Sequence, residues 1–303
     1  MSNTFSSQVL LLTPAFRFST IVGTLLMDWR VRSFPDMQEY TNASPSLPTS
    51  LHQPADAGHA SFLETSVGSA TLHLVMQMNN ASSSRVHPTT LSGTVWKPCA
   101  RFIQDAVRVT MQEHLDEDGC EVLYGRAGFL YAILLLRQKS SEYSTELRND
   151  DPVFATVSNI ASDQNISALV EDIIRRGVIG AQSYVATLSV EESKRAPPLM
   201  WSWHGKRYLG GAHGLGKYFP LNCVRSLDAD FRMVAGILQM LASAPKYILK
   251  PHWHLVLGTL RWLLEVQLPS GNWPSKAGRR MYDGEDEVDK YQLVQYVDSP
   301  YVS

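Results

Sequence analysis

The chain has 303 residues, 44% of them hydrophobic and 18% charged, with a formal net charge of −2. That length and balance describe a globular protein with a sizeable buried core and exclude a disordered chain. The small net charge gives no reason to expect nucleic acid or an anionic membrane as a partner.

The first sixty residues carry little pattern. Two short apolar stretches, Val9–Leu12 and Ile21–Met27, are separated by Arg17. Neither approaches the roughly 20 apolar residues of a membrane span, and no continuous apolar run forms a good secretory signal. Residues 44–60, SPSLPTSLHQPADAGHA, read as a linker rich in Pro, Ser and Ala. We therefore divide the chain into residues 1–60, a poorly determined segment and linker, and residues 61–303, a helical domain.

Beyond the linker a helical period dominates. Phe102, Ile103, Ala106, Val107, Met111 and Leu115 share one face of a predicted helix. Ile166, Leu169, Val170, Ile173, Ile174, Ala181, Tyr184 and Val185 form a longer stripe, and Leu255, Val256, Leu260, Leu263 and Val266 a third. Strand-length alternation is scarce, so the expected class is all-α. A glycine pair followed by an apolar run occurs as GRAGFLYAILLLR from Gly125 and as GGAHGL from Gly210, with an amphipathic helix between them. Glycines there permit positive φ and let a loop run close to a helix start. The expected architecture is a set of antiparallel helix pairs, an inner helix following each glycine loop and an outer one returning. Neither GRAG nor GGAHG has the strand before it, or the GK[ST] or GxGxxG context, of a nucleotide loop.

Cys99, Cys120 and Cys223 lie far apart, with no CxxC and no Cys-His pair. They give neither a disulfide framework nor a zinc motif, and reduced thiols in the cytoplasm are the expected state.

Three segments carry a resemblance. LYGRAGFLYAILLLR (Leu123–Arg137), PLMWSWHGKRYLGGAHGL (Pro198–Leu215) and the run from QLPSGNWPS to DKYQLVQ (Gln267–Gln295) resemble, in that order and spacing, the eukaryotic LanC-like proteins of the lanthionine synthetase C family. The similarity covers roughly residues 120–295, with TSVGSATLHL as a faint earlier repeat. The resemblance implies an α/α toroid and a zinc ion held by two cysteines and a histidine. That zinc would activate a thiol, from glutathione or a peptide cysteine, for addition to dehydroalanine or dehydrobutyrine in a peptide or protein. It assigns to His213, within GGAHGL, the protonation of the resulting enolate. Apart from the resemblance, His213 reads as a helix-terminus histidine bonded to loop carbonyls. His204 matches no catalytic position of the family, and a surface or packing role is expected for it.

The sequence departs from the family twice. The family string LVQW-CHGAPG gives way after Leu293, Val294 and Gln295 to YVDSPYVS, so none of the zinc ligands is expected and the toroid is expected incomplete and not closed. The string AHGLAGILQML is split by Gly216–Val234, and deleting those residues restores it. Gly216-Lys217-Tyr218 can be encoded GGT AAG TAC and Gln295-Tyr296-Val297 CAG TAT GTA, each holding a splice-donor pattern. The expectation is unspliced intron at both places and a chain inactive by itself, with no zinc bound. The alternatives are a zinc-free pseudoenzyme acting as a peptide-binding or regulatory module, and a non-functional fragment whose exposed inner helices invite aggregation.

Overall fold

The computed structural model describes residues 60–63, 65–83, 96–111, 119–143, 145, 151–209, 236–267, 273–274 and 276–278, all within the unit Leu51–Ser303. They are helical, as the periodicity predicts, and among them the only β pairings are two isolated bridges, Trp203 with Lys206 and Tyr208 with Lys276. In chain order the helices are α1 (Ser66–Ser83), α2 (Trp96–Thr110), α3 (Arg126–Ser141), α4 (Pro152–Ile160), α5 (Asp163–Val185), α6 (Val190–Ser193), α7 (Gly236–Ala242), α8 (Lys246–Leu249) and α9 (Trp253–Glu265). A 3₁₀ turn, Lys250–His252, joins the last two.

Burial divides the longer helices into two kinds. In α3, Ala127, Phe129, Leu130, Ala132, Ile133, Leu135 and Leu136 are all buried, so the helix is covered nearly all round. In α1, Val67, Ala70, Leu72, Leu74, Val75 and Met78 are buried likewise. A helix without a polar face has to sit between other elements. By contrast α2 buries only Trp96, Cys99, Ala100, Ile103, Ala106 and Thr110, one stripe. The covered helix α3 packs against α1, α4, α5 and α7, while α1 also meets α2 and α4. Each large apolar side chain so buried contributes about 1.5–3 kcal/mol.

The predicted stripes are found with small shifts. On α2 Ile103 and Ala106 are buried, but Phe102 and Val107 are half-buried. On α5 the stripe holds up to Tyr184, and Val185 is exposed because the helix ends there. On α9 the buried line runs through Val256, Thr259, Trp262 and Leu263, with Leu255, Leu260 and Val266 half-buried.

Helix ends follow capping chemistry. Asp151 caps α4 by accepting from the Val153 amide at 2.9 Å, ahead of Pro152. Ser162 caps α5, and Ser189 with Glu192 forms a capping box on α6. At the surface Arg137 of α3 and the Tyr247 hydroxyl of α8 donate to the same Asp163 oxygen at the start of α5, at 2.5 and 2.7 Å. Those two bonds hold the Asp163 carboxyl below its usual pKa.

Candidate functional site

The glycine loop before α3 shows why its sequence is GRAG. Helix α3 has no side-chain cap. Instead the Gly119 and Cys120 carbonyls accept from the first helical amides, Arg126 at 3.0 Å and Ala127 at 3.3 Å. The loop therefore folds back over its own helix, and only residues without a Cβ allow it. A Cβ on Gly125 would overlap the Gly119 carbonyl, and one on Gly128 would overlap the Val122 carbonyl and lie 2.6 Å from Ser61 Cβ. Close approach is thus the reason for both glycines. Positive φ is not, since Gly125 sits at φ −99; it belongs to Gly119 at φ 75. The segment 60–62 lies along the same loop, with the Ala60 and Ser61 amides donating to the Tyr124 carbonyl and the Phe62 amide to that of Gly128.

Under this loop is a buried charge cluster. Arg126 Nε and Arg176 Nε lie 2.9 and 2.8 Å from Asp172 Oδ2, and Arg175 reaches Asp172 Oδ1 at 2.8 Å. Arg126, Arg176 and Asp172 are 3, 0 and 5% exposed, whereas Arg175 extends into solvent. Arg126 also donates to the Thr110 and Gly119 carbonyls, each at 3.1 Å. It therefore ties the end of α2, the glycine loop and α5 to one carboxylate. Sequence reasoning missed this cluster, although Asp172 and Arg176 lie four apart inside the apolar stripe of α5.

The segment 198–209 builds the other wall. The Leu199 amide donates to Thr259 Oγ1 at 3.1 Å, the Met200 amide to the Gly177 carbonyl at 2.8 Å, and Trp201 Nε1 to the Ile173 carbonyl at 2.9 Å. The Trp201 ring lies flush on Gly177, where a Cβ would come within 2.7 Å of it. A two-residue turn follows. Trp203 and Lys206 exchange backbone bonds of 2.8 and 3.0 Å, and His204 and Gly205 both take positive φ, 50 and 68. Two positive φ values match the twist of a hairpin turn. Trp203 stacks parallel on Tyr124 at 6.2 Å and meets Tyr208 at 6.1 Å, with the His204 ring 4.5 Å away. Between this hairpin, α7 and α9 is a cavity of about 70 Å³, lined among others by Trp201, Trp203, Leu238 and Trp262, with Glu121 buried within it and the exposed Lys206 on its rim.

Of the residues singled out by sequence, His204 is exposed on the turn, and Cys99 and Cys120 are buried and in no disulfide. His213, Gly210, Gly211, Gly214, Cys223, the segment Gly216–Val234 and everything beyond 278 lie outside the described residues. No group of three His, Cys, Asp or Glu that could hold a metal occurs among the described residues. Burial pushes the Cys99 thiol up to about 11, the reverse of what a thiolate ligand needs.

The described residues thus form an all-α fold in which the buried helix α3 follows a glycine loop. No family model matches the chain. It is 28% identical over 159 residues to LanC-like protein GCL1 of Arabidopsis thaliana, across 52% of this chain and 26% of that protein. The matched region spans about a quarter of the relative's length. No described helix is long and apolar enough to cross a membrane.

Proposed function

We propose that residues 61–303 form an arc of a LanC-like α/α toroid, and that the chemistry to which this arc belongs is thiol addition to dehydroalanine or dehydrobutyrine in a peptide or protein. The observation that carries this reading is the sequence similarity to a LanC-like protein over 159 residues. The glycine loop folded onto the start of a buried helix fits it. In that reaction a sulfur–carbon bond forms at the β-carbon, and the α-carbon of the enolate takes a proton. His213 is the proposed donor, since an imidazole with a pKa near 6.5 can give a proton at neutral pH. Glutathione is the leading thiol, and buried Cys99 and Cys120, neither in a disulfide, accord with a cytoplasmic protein.

The 303-residue chain by itself is proposed to lack turnover, because no three His, Cys, Asp or Glu gather to hold a metal among the described residues and burial holds the Cys99 thiol protonated. The test incubates the purified chain with zinc, glutathione and a dehydroalanine peptide, and follows thioether by mass spectrometry and zinc by elemental analysis. Sub-stoichiometric zinc and no product above the uncatalysed rate are expected; one tightly held zinc with turnover overturns the reading. In a longer chain that carries the family's ligands, His213→Ala is expected to slow thioether formation with zinc content unchanged. Undiminished activity would make His213 structural. A second reading, a zinc-free peptide-binding module, is favoured by the cavity beside Trp203 and Lys206.

A further inference from the structure

Helix α9 buries one side and leaves an apolar flank open. Its buried line, Val256, Thr259, Trp262 and Leu263, is met by the segment that begins at Pro198, whose ring lies on Gly258 and whose Leu199 amide bonds Thr259. Beside that line Trp253, Leu257, Leu260 and Leu264 form a second stripe. At about 100° per residue these four side chains fall within about 60° of one another. Leu264 is 52% exposed, and the other three are half-buried. No described helix packs extensively against α9. An apolar stripe that its own domain leaves open marks a contact surface.

The stripe has the symmetry of a self-contact. Its spacings of four, three and four residues are the same in both chain directions. Two copies packed antiparallel, about a two-fold axis between Gly258 and Thr259, therefore set Trp253 against Leu264 and Leu257 against Leu260. A contact between identical surfaces requires such self-complementarity. The exposed charges have the matching order. Lys250 lies one 3₁₀ turn before Trp253, at one end of the stripe, and Glu265 follows Leu264 at the other. Antiparallel packing brings each Lys250 to the Glu265 of the second copy, whereas parallel packing would put like charges together. Arg261 is exposed near the axis, and its repulsion across that axis keeps the association weak.

We propose that α9 is the contact surface of a weak homodimer, in which two copies pair antiparallel through Trp253, Leu257, Leu260 and Leu264, with Lys250–Glu265 ion pairs at both ends. The stripe is about 17 Å long at about 1.5 Å per residue. So short a contact stays below the roughly 1,200 Å² of a stable interface, which puts the dissociation constant at about 10–100 μM. A second copy is the occupant because the reversible spacing and the opposed end charges match it with no further partner. The proposal stands apart from the catalytic reading above.

The experiment is sedimentation velocity of the full chain at low salt, from about 5 to about 500 μM, a range that brackets the expected constant. A reversible shift from monomer to dimer is expected. Leu264→Asp, at an exposed position, should raise the dissociation constant at least about tenfold. Lys250→Glu and Glu265→Lys should each raise it about threefold or more, since each sets like charges opposite one another at both ends. An equimolar mixture of these two variants should associate as tightly as the parent, because the mixed dimer restores both ion pairs. Far-ultraviolet circular dichroism matching the parent shows each variant folded. A monomer throughout the range overturns the proposal, and so does open-ended aggregation. A dimer indifferent to Leu264→Asp, or a mixture no tighter than its two components, overturns it as well.

Discussion

Asp172→Asn tests the buried charge cluster most directly. The substitution keeps the shape of the side chain and one acceptor oxygen but removes the carboxylate charge that Arg126 and Arg176 share. Both guanidiniums are almost wholly buried, and an uncompensated buried charge costs about 3–5 kcal/mol. Arg126 retains the Thr110 and Gly119 carbonyls, and an asparagine oxygen still accepts one bond, so the lower end, about 3 kcal/mol, is expected. At about 2–4 °C per kcal/mol for a domain of this size, the melting temperature should fall by about 6–12 °C. Arg175→Ala removes only a solvent-facing partner of Oδ1 and should cost no more than about 1 kcal/mol. The assay is urea denaturation followed by helical circular dichroism, with m-values compared so that a change of compactness is not mistaken for a change of stability. An Asp172→Asn variant within about 1 kcal/mol of the parent would refute the reasoning. So would an Arg175→Ala loss as large as that of Asp172→Asn.

Three further outcomes are expected. Gly128→Ala places a Cβ against the Val122 carbonyl and Ser61 and should destabilise by about 2 kcal/mol or more, where Ala for Gly in an open helix position stabilises by about 1 kcal/mol; a gain in the same urea assay would show that the loop gives way. Cys99, buried on α2 and raised to about 11, should resist iodoacetamide at pH 8 in the native protein and react fully in urea, as read by peptide mass mapping; rapid native alkylation would contradict its burial. Burial lowers the pKa of His73 on α1, against a weaker raising effect from the Ser69 carbonyl. The unfolded state then binds the proton more readily, so stability should fall as pH drops through the ordinary histidine range near 6.5 and below. His73→Gln should flatten that part of the stability–pH curve, and an unchanged slope would remove His73 from the account.

The helices were legible in the sequence because their apolar residues keep helical spacing: the stripe on α5 from Ile166 to Tyr184 is buried as the period requires. The all-round burial of α3 was legible too, in the unbroken run FLYAILLL. Phase was less certain at α9, where Thr259 and Trp262 belong to the buried line. A hydrophobic count passes over Thr259, yet it is buried because its hydroxyl serves the Leu255 carbonyl and the Leu199 amide. The cluster of Arg126, Asp172 and Arg176 was missed for a related reason. Charged residues inside an apolar stripe look like interruptions of it until a second helix brings the opposite charge. The cavity depends on four separated segments, and no local pattern encodes it. His213 was singled out by resemblance alone, and it lies outside the described residues.

The segment 198–209 joins these levels. Pro198 rests on Gly258, where a Cβ would come within 2.9 Å of its ring. Leu199, Met200 and Trp201, the next three residues, are each bonded to α9 or α5. Chain held at three successive positions has little freedom left when it reaches the turn, and the turn can then impose an unfavourable conformation. His204 at φ 50 is such a conformation, with a cost of order 1 kcal/mol for a residue other than glycine. The cost is offset by contacts the turn creates, the imidazole on Trp203 and the stack of Trp203 on Tyr124. Tyr124 belongs to the glycine loop, and its carbonyl receives the Ala60 and Ser61 amides. A single line of contacts thus runs from the loop at Gly125 through Tyr124 and Trp203 to Lys206 on the cavity rim. The glycine loop therefore does more than start a helix: by fixing Tyr124 it helps fix the turn that carries Lys206 to the cavity.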